Sequence, residues 1–282
     1  MLQFNTPTIQ LLNSSTVTAI SAAFRLHIAF LLAGIATRIP EYLAFALIMY
    51  ATYTLDRALD CKEDIINKSE LCGANRTIGL AACAVTFCAG TILLFREGIY
   101  LAPFLPFVIG YFYSKGFRIG TLRLKLKGSL GVKNIIVGIT WAGTIALIVG
   151  QWCTSFETLA VIFLFYALKI FVTSCVNDFK DVKGDIMAGV RTLPAYFGEK
   201  MTKKILIVIL FILYSIMASA VICHVVRNEW IILVYGLVVT IAFLQVYSPS
   251  FEKSPAIFYR KMREFVISWD SCISLGLRAC AG

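Results

Sequence analysis

Long apolar stretches divide this chain into segments that are separated by short polar connections. The apolar runs are continuous, and several approach or exceed the roughly 18 residues that indicate a membrane-spanning helix. Because a transmembrane barrel strand alternates apolar and polar positions, a bundle of helices is the predicted architecture. The predicted spans are 14–36, 41–55, 77–95, 99–114, 132–150, 156–177, 203–225, 229–248 and 257–281.

The composition agrees with this pattern. Of the 282 residues, 59% are hydrophobic and only 15% are charged, whereas a soluble domain carries roughly 25% charged residues. We therefore expect an all-α membrane protein that forms one transmembrane domain over residues 1–282. About nine transmembrane helices would surround a central cavity that opens to the cytoplasmic face.

Lysine and arginine alternate between the connections. Four connections hold twenty of the 26 basic residues, as four, six, six and four, and the connections on the other side hold three. The basic connections are 56–76, 115–133, 178–204 and 249–263. The positive-inside rule then places these loops and the N-terminus in the cytoplasm and the C-terminus outside. The net charge of +10 thus reflects orientation in the bilayer, and no nucleic-acid partner is expected.

Two acidic segments, 53–67 and 177–198, end two predicted spans on that same face. In the first segment aspartates recur every four residues, and the second has the pattern D-x-x-D-x-x-x-D. On a helix, either spacing aligns the carboxylates along one face. The aspartates are Asp56, Asp60 and Asp64 in the first segment and Asp178, Asp181 and Asp185 in the second.

Clustered carboxylates without histidine or thiolate ligands favour hard cations. Mg²⁺ is typically held by a few carboxylates together with substrate phosphates. Aspartates at the mouth of a membrane cavity therefore predict a metal-bridged diphosphate. The basic loop 115–133 supplies further cations, and Lys115 and Lys133 adjoin the neighbouring spans, which favours an inward orientation.

Two cations lie inside predicted spans. Arg25 interrupts the first span, where a charge is costly and usually faces a polar cavity or a partner. Lys169 precedes Asp178 by about two turns, and either a substrate contact or an ion pair with an aspartate would explain it.

The second acidic segment, NDFKDVKGDIMAGVRTLP, resembles the second aspartate-rich motif of the UbiA-type intramembrane prenyltransferases. The family pattern there is D-x-x-D-x-x-x-D followed by G-x-x-T-L-P. Nine spans with aspartate motifs after the second and sixth also match, so the resemblance covers essentially the whole chain. The first motif is looser, because Thr52 and Tyr53 replace the family's N-D pair and the R-P segment that follows is absent.

The resemblance implies that two Mg²⁺ ions, held by the two motifs, bind the diphosphate of a polyprenyl donor. An electron-rich acceptor then attacks the allylic carbon, and water must be excluded. The implied catalytic and metal-binding residues are Asp56, Asp60, Asp178, Asp181 and Asp185, with Asp64 as a further metal ligand. The diphosphate contacts expected from position are Arg25, Arg57, Lys115, Lys133, Asn134 and Arg191.

Other functions remain open at this point. A lipophilic or aromatic acceptor is the first choice, and a geranylgeranylglyceryl phosphate prenyltransferase of ether-lipid synthesis is the alternative. A cyclase or lyase would release pyrophosphate without any acceptor. An ion-coupled secondary transporter would carry its charged sites near the bilayer midplane, whereas the acids here crowd one face. A phospholipid headgroup transferase would show a D-G-x-x-A-R element, which the sequence lacks.

Overall fold

The computed structural model describes residues 6–59, 73–115, 117–119, 122–124, 130–246 and 268–281. Within these ranges the chain forms nine α-helices and one antiparallel hairpin, in which Arg118 pairs with Arg123. The helices are α1 (Pro7–Ala33), α2 (Ile39–Ala58), α3 (Arg76–Arg96), α4 (Phe104–Lys115), α5 (Val132–Val149), α6 (Phe156–Ala188), α7 (Leu193–Ile222), α8 (Trp230–Val246) and α9 (Asp270–Ala281). The strands are β1 (Phe117–Ile119) and β2 (Leu122–Leu124).

The helical membrane architecture that the apolar pattern predicts is confirmed. Five helices, α1, α3, α5, α6 and α7, are long and apolar enough to cross a membrane, and α8 is apolar but shorter. The hairpin, which lies in the basic loop 115–133, is the one departure from an all-helical fold in the described part of the chain.

Two helices, α6 and α7, extend furthest beyond their predicted spans. α6 was expected to end at residue 177 but continues to Ala188, so the second acidic segment is helical. α7 begins at Leu193, ten residues before its predicted start, and bends at Gly198. A hydrophobicity pattern stops where charges begin, whereas backbone hydrogen bonding continues through polar residues until a cap ends it.

The cap of α6 explains part of the sequence motif. Gly189 adopts a left-handed conformation (φ 71°) and its amide closes on the last turn of the helix. Glycine tolerates this backbone geometry without the steric cost that other residues incur. Three residues later Thr192 takes an extended conformation, and Leu193 and Pro194 start α7.

The helix α1 lies centrally and contacts α2, α3, α5, α6 and α9. Its buried side chains, among them Leu26, Ile28 and Phe30, join one continuous apolar core with the other helices.

Helices α5 and α6 pack closely against each other, and this contact matters most for the site. A Cβ placed on Gly138 of α5 would lie 2.5 Å from the carbonyl oxygen of Ala167 in α6, so the two backbones are in direct contact.

Replacing Gly138 by alanine is expected to force α5 away from α6 and to lower the free energy of unfolding by about 1–3 kcal/mol. The measurement is unfolding of purified protein in detergent. Gly276→Ala is the matched control, because nothing lies within 4 Å of its added Cβ; it is expected to be neutral or slightly stabilising. Equal effects of the two substitutions would contradict the close packing described here.

Candidate active site

The second acidic segment lies on the last turns of α6 with its aspartates along one face. Asp178 and Asp185 are buried, with 2% and 1% of their surface exposed, and Asp181 is half-buried. Lys180 and Lys183 point outward from the same turns. The helical alignment that the D-x-x-D-x-x-x-D spacing predicts is therefore present.

The first turn of α5 contacts Asp178 with two side chains. Lys133 Nζ lies 2.8 Å from Asp178 Oδ1, and Asn134 Nδ2 donates to Asp178 Oδ2 at 2.7 Å. Asn134 also donates to Ser174 Oγ at 3.0 Å, one turn before Asp178 on α6. Lys133 and Asn134, both predicted as diphosphate contacts, thus lie at the acidic segment.

Asp185 is held from the following helix. The hydroxyl of Thr192 donates to Asp185 Oδ2 at 3.2 Å, and Thr192 is fully buried. The amide of Gly131, the residue before α5, donates to the carbonyl oxygen of Arg191 at 3.1 Å. The turn after α6 therefore fastens the end of α6 to the start of α5, while the side chain of Arg191 is exposed.

An apolar pocket lies between α2, α4 and α5. Among the described residues that line it, Asp56 alone carries a carboxylate, and the others include Met49, Ile109, Val137 and Trp141. Helix α5 therefore takes part in both places: its first turn contacts Asp178, and its next turns line the pocket together with Asp56.

Aromatic rings and a buried arginine close one side of this pocket. Trp141 Nε1 donates to the hydroxyl oxygen of Tyr53 at 3.0 Å, and the Trp141 ring also contacts Phe45 edge-to-face. The guanidinium carbon of Arg25 lies 5.0 Å from the Trp141 ring centroid, within cation–π range. Arg25 is therefore placed behind the pocket wall, buried in the bundle.

Of the four remaining predicted residues, Arg57 and Lys115 lie on described helices. Arg57 turns toward α1, where its Nη1 donates to Ser15 Oγ at 2.7 Å. Lys115 ends α4, and its side chain lies outside what the structure describes. Asp60 and Asp64 also lie outside the described residues.

Four residues contact the predicted charged or polar side chains in the structure but were not predicted from the sequence as site residues. Ser174 could have been found, because it lies four residues before Asp178 on the same helical face. Thr192 stands in the G-x-x-T-L-P tail of the motif, although the pattern assigns it no role. Ser15 and Asp270 gave no comparable signal, because each reaches its partner only through the packing of another helix. Asp270 pairs with Lys169: its Oδ2 lies 2.9 Å from Lys169 Nζ, and both side chains are buried.

The donor chemistry fits a hard divalent cation. The second segment presents carboxylate oxygens, and Asp178 already binds a cationic group, the ammonium of Lys133. Within the described ranges no group of three or more histidine, cysteine, aspartate or glutamate side chains converges on one point.

The UbiA prenyltransferase family model matches residues 13–264, so this chain belongs to that family. It is 30% identical over 200 residues to a digeranylgeranylglyceryl phosphate synthase of Sulfurisphaera tokodaii, covering 62% of this chain and 65% of that protein. It is 27% identical over 136 residues to the bacteriochlorophyll synthase 34 kDa chain of Chloroflexus aurantiacus, covering 47% and 41%. Each match spans less than two thirds of the relative.

Solved structures share the fold over nearly the whole chain. The apo structure of a UbiA homologue from Aeropyrum pernix K1 superposes with a TM-score of 0.67 at 10% identity, covering 94% of this chain and 98% of that one. A UbiA homologue from Archaeoglobus fulgidus bound to GPP and Mg²⁺ gives a TM-score of 0.59 at 15% identity, covering 96% and 99%. With family membership and the long apolar helices, this identifies an integral membrane protein.

Proposed function

We propose that this protein transfers a polyprenyl group from a polyprenyl diphosphate to an acceptor within the membrane and releases pyrophosphate. The observation that carries the proposal is that α5 contacts Asp178 of the second acidic segment and also lines the pocket that holds Asp56. The first turn of α5 contacts Asp178, and the next turns of the helix line an apolar pocket that Asp56 also lines. Such a site suits a ligand with a charged head and an apolar tail.

Mg²⁺ would be held by carboxylates of both segments, as two ions. The proposed ligands are Asp56, Asp60, Asp64, Asp178, Asp181 and Asp185. When bound, Mg²⁺ supplies Lewis-acid and electrostatic stabilisation to the departing pyrophosphate. The homologue from Archaeoglobus fulgidus that was solved with GPP and Mg²⁺ supports this choice of cofactor.

The chain's own residues then have distinct tasks. Lys133, Arg57, Lys115, Arg191 and Arg25 are the cations proposed to contact the substrate's anionic groups. The allylic carbon–oxygen bond breaks and its electron pair leaves with pyrophosphate; an electron pair of the acceptor forms the new bond, and the acceptor loses a proton. The apolar wall around Trp141 excludes water, which would otherwise capture the allylic cation.

Two acceptor classes are supported by relatives. The match to a bacteriochlorophyll synthase favours a lipophilic acceptor with a conjugated ring system, and that to a digeranylgeranylglyceryl phosphate synthase favours a prenylated glycerol phosphate. Membership of the UbiA family favours either over the ion-coupled transporter. We propose that the acidic face, the basic loops and the N-terminus are cytoplasmic and that nine helices cross the bilayer.

The proposal predicts acceptor-dependent pyrophosphate release. Purified protein in detergent would be supplied with geranylgeranyl diphosphate and Mg²⁺, with and without aromatic and glycerol phosphate acceptors. Release that needs one acceptor class identifies the transferase and its substrate, and chelation of the metal should abolish it. Release without acceptor would instead indicate a cyclase or lyase. No release from folded protein would contradict the diphosphate chemistry.

A further inference from the structure

The carboxylate of Asp178 is engaged at both oxygens by residues of α5. Lys133 Nζ contacts Oδ1 at 2.8 Å and Asn134 Nδ2 contacts Oδ2 at 2.7 Å. The two partners differ in exposure: Asn134 is fully buried, whereas 23% of the Lys133 side chain is exposed. One oxygen is thus held by a fixed partner and the other by a side chain that reaches solvent.

Asn134 acts as the fixed partner. An ionised carboxylate only accepts hydrogen bonds, so the group that faces Asp178 is the amide nitrogen. Both of its hydrogens are used, one on Asp178 and one on Ser174. Its Oδ1 is buried without a hydrogen-bond donor among the described residues. Asn134 therefore has no N–H left for a diphosphate, and its role is to orient Asp178.

Lys133 contacts the Asp178 oxygen that Asn134 does not bind. A lysine ammonium is a compact charge on a flexible four-carbon stem, so it can leave one anion for another nearby. Asp178 with its charge unpaired would be costly at this depth of burial. The ammonium therefore serves as the counter-charge of Asp178 until another cation takes that place.

We propose that Lys133 is an exchangeable counter-ion: it gives up Asp178 Oδ1 to a divalent cation and then contacts the diphosphate. This rests on the proposed function and adds that metal and diphosphate binding are coupled through one side chain. A lysine that contacted only the diphosphate would change metal affinity no more than the charge of another nearby lysine, such as Lys183, does. A competitor for Oδ1 lowers that affinity, so its removal raises it.

The test measures Mn²⁺ binding to purified full-length protein in detergent by electron paramagnetic resonance. Without diphosphate, Lys133→Met is expected to bind Mn²⁺ about tenfold more tightly than wild type, because a charge-assisted contact no longer competes. At saturating Mn²⁺, calorimetry is expected to show inorganic pyrophosphate binding about tenfold more weakly to the same variant.

Two further variants complete the test: a matched control at another lysine and a second substitution of Lys133. Lys183→Met removes the same charge from an exposed position on α6 and is expected to match wild type in both measurements. Lys133→Gln retains a hydrogen-bond donor for Asp178 and decides the question if Lys133→Met fails to fold. Its Mn²⁺ affinity should also exceed that of wild type.

Unchanged or weaker Mn²⁺ binding by both Lys133 variants overturns the exchange. Tighter Mn²⁺ binding with unchanged pyrophosphate affinity overturns the coupling. Either result leaves the proposed function intact if wild type binds Mn²⁺ and Asp178→Asn does not. Failure of folded wild type to bind Mn²⁺ in any condition overturns both the proposed function and the exchange.

Discussion

Asparagine in place of Asp178 is expected to lower kcat/KM for pyrophosphate release by at least about a thousandfold. Replacing a carboxylate with an amide weakens a hard-cation ligand, and metal stabilisation of a leaving group contributes several kcal/mol, at 1.36 kcal/mol for each factor of ten. The substitution keeps the size of the side chain. It also leaves Lys133 without the carboxylate that it contacts.

The control for this prediction is Glu199→Gln. Glu199 lies near the start of α7 and pairs at 2.7 Å with Lys203, one turn further along the same helix. Its activity should stay within about twofold of wild type, and both proteins should show the same helix content. Activity of folded Asp178→Asn protein within tenfold of wild type would falsify the assignment of Asp178.

The second large effect concerns the ion pair between Lys169 of α6 and Asp270 of α9. The two charged atoms lie 2.9 Å apart with 8% and 3% of their side chains exposed, and Ser271 donates a further hydrogen bond to Asp270. Removing one partner leaves an uncompensated buried charge. Lys169→Met or Asp270→Asn alone is therefore expected to destabilise the protein by about 3–5 kcal/mol.

The double variant Lys169→Met/Asp270→Asn should recover most of that loss, because neither charge remains buried. The measurement is a double-mutant cycle of unfolding free energies in detergent. Lys203→Met is the matched control, since it breaks a more exposed i,i+4 pair within one helix and should cost about 0.5 kcal/mol. Additive losses in the double variant would show that the two residues do not stabilise each other.

The same pair decides between the two interpretations that the sequence left for Lys169. It forms an ion pair with an aspartate, and the aspartate comes from the last helix rather than from the acidic segment nearby. The position of Arg25 does not decide its role in the same way. Its ring contact with Trp141 places it behind the pocket wall, and its role as a substrate contact stays a proposal.

The motif tail G-x-x-T-L-P shows how pattern and structure complement each other. The match to the motif indicated the family, but it did not explain why these residue types stand at these positions. In the fold, Gly189 provides the left-handed cap of α6, Thr192 binds Asp185, and Leu193 and Pro194 begin α7. The tail therefore positions a carboxylate of the acidic segment.

The sequence by itself determined the helical membrane fold, the family and the alignment of the second acidic segment along one helix face. The fold and the alignment depend on periodicities within single segments, which hydrophobic burial and backbone hydrogen bonding enforce locally. The family followed from the resemblance of the second acidic segment to a known motif. Only the tertiary structure decided which partner each charge takes: Lys133 with Asp178, Lys169 with Asp270, and Arg57 with Ser15. These residues meet because separate helices pack at defined depths and rotations, and that packing is set by the whole core at once.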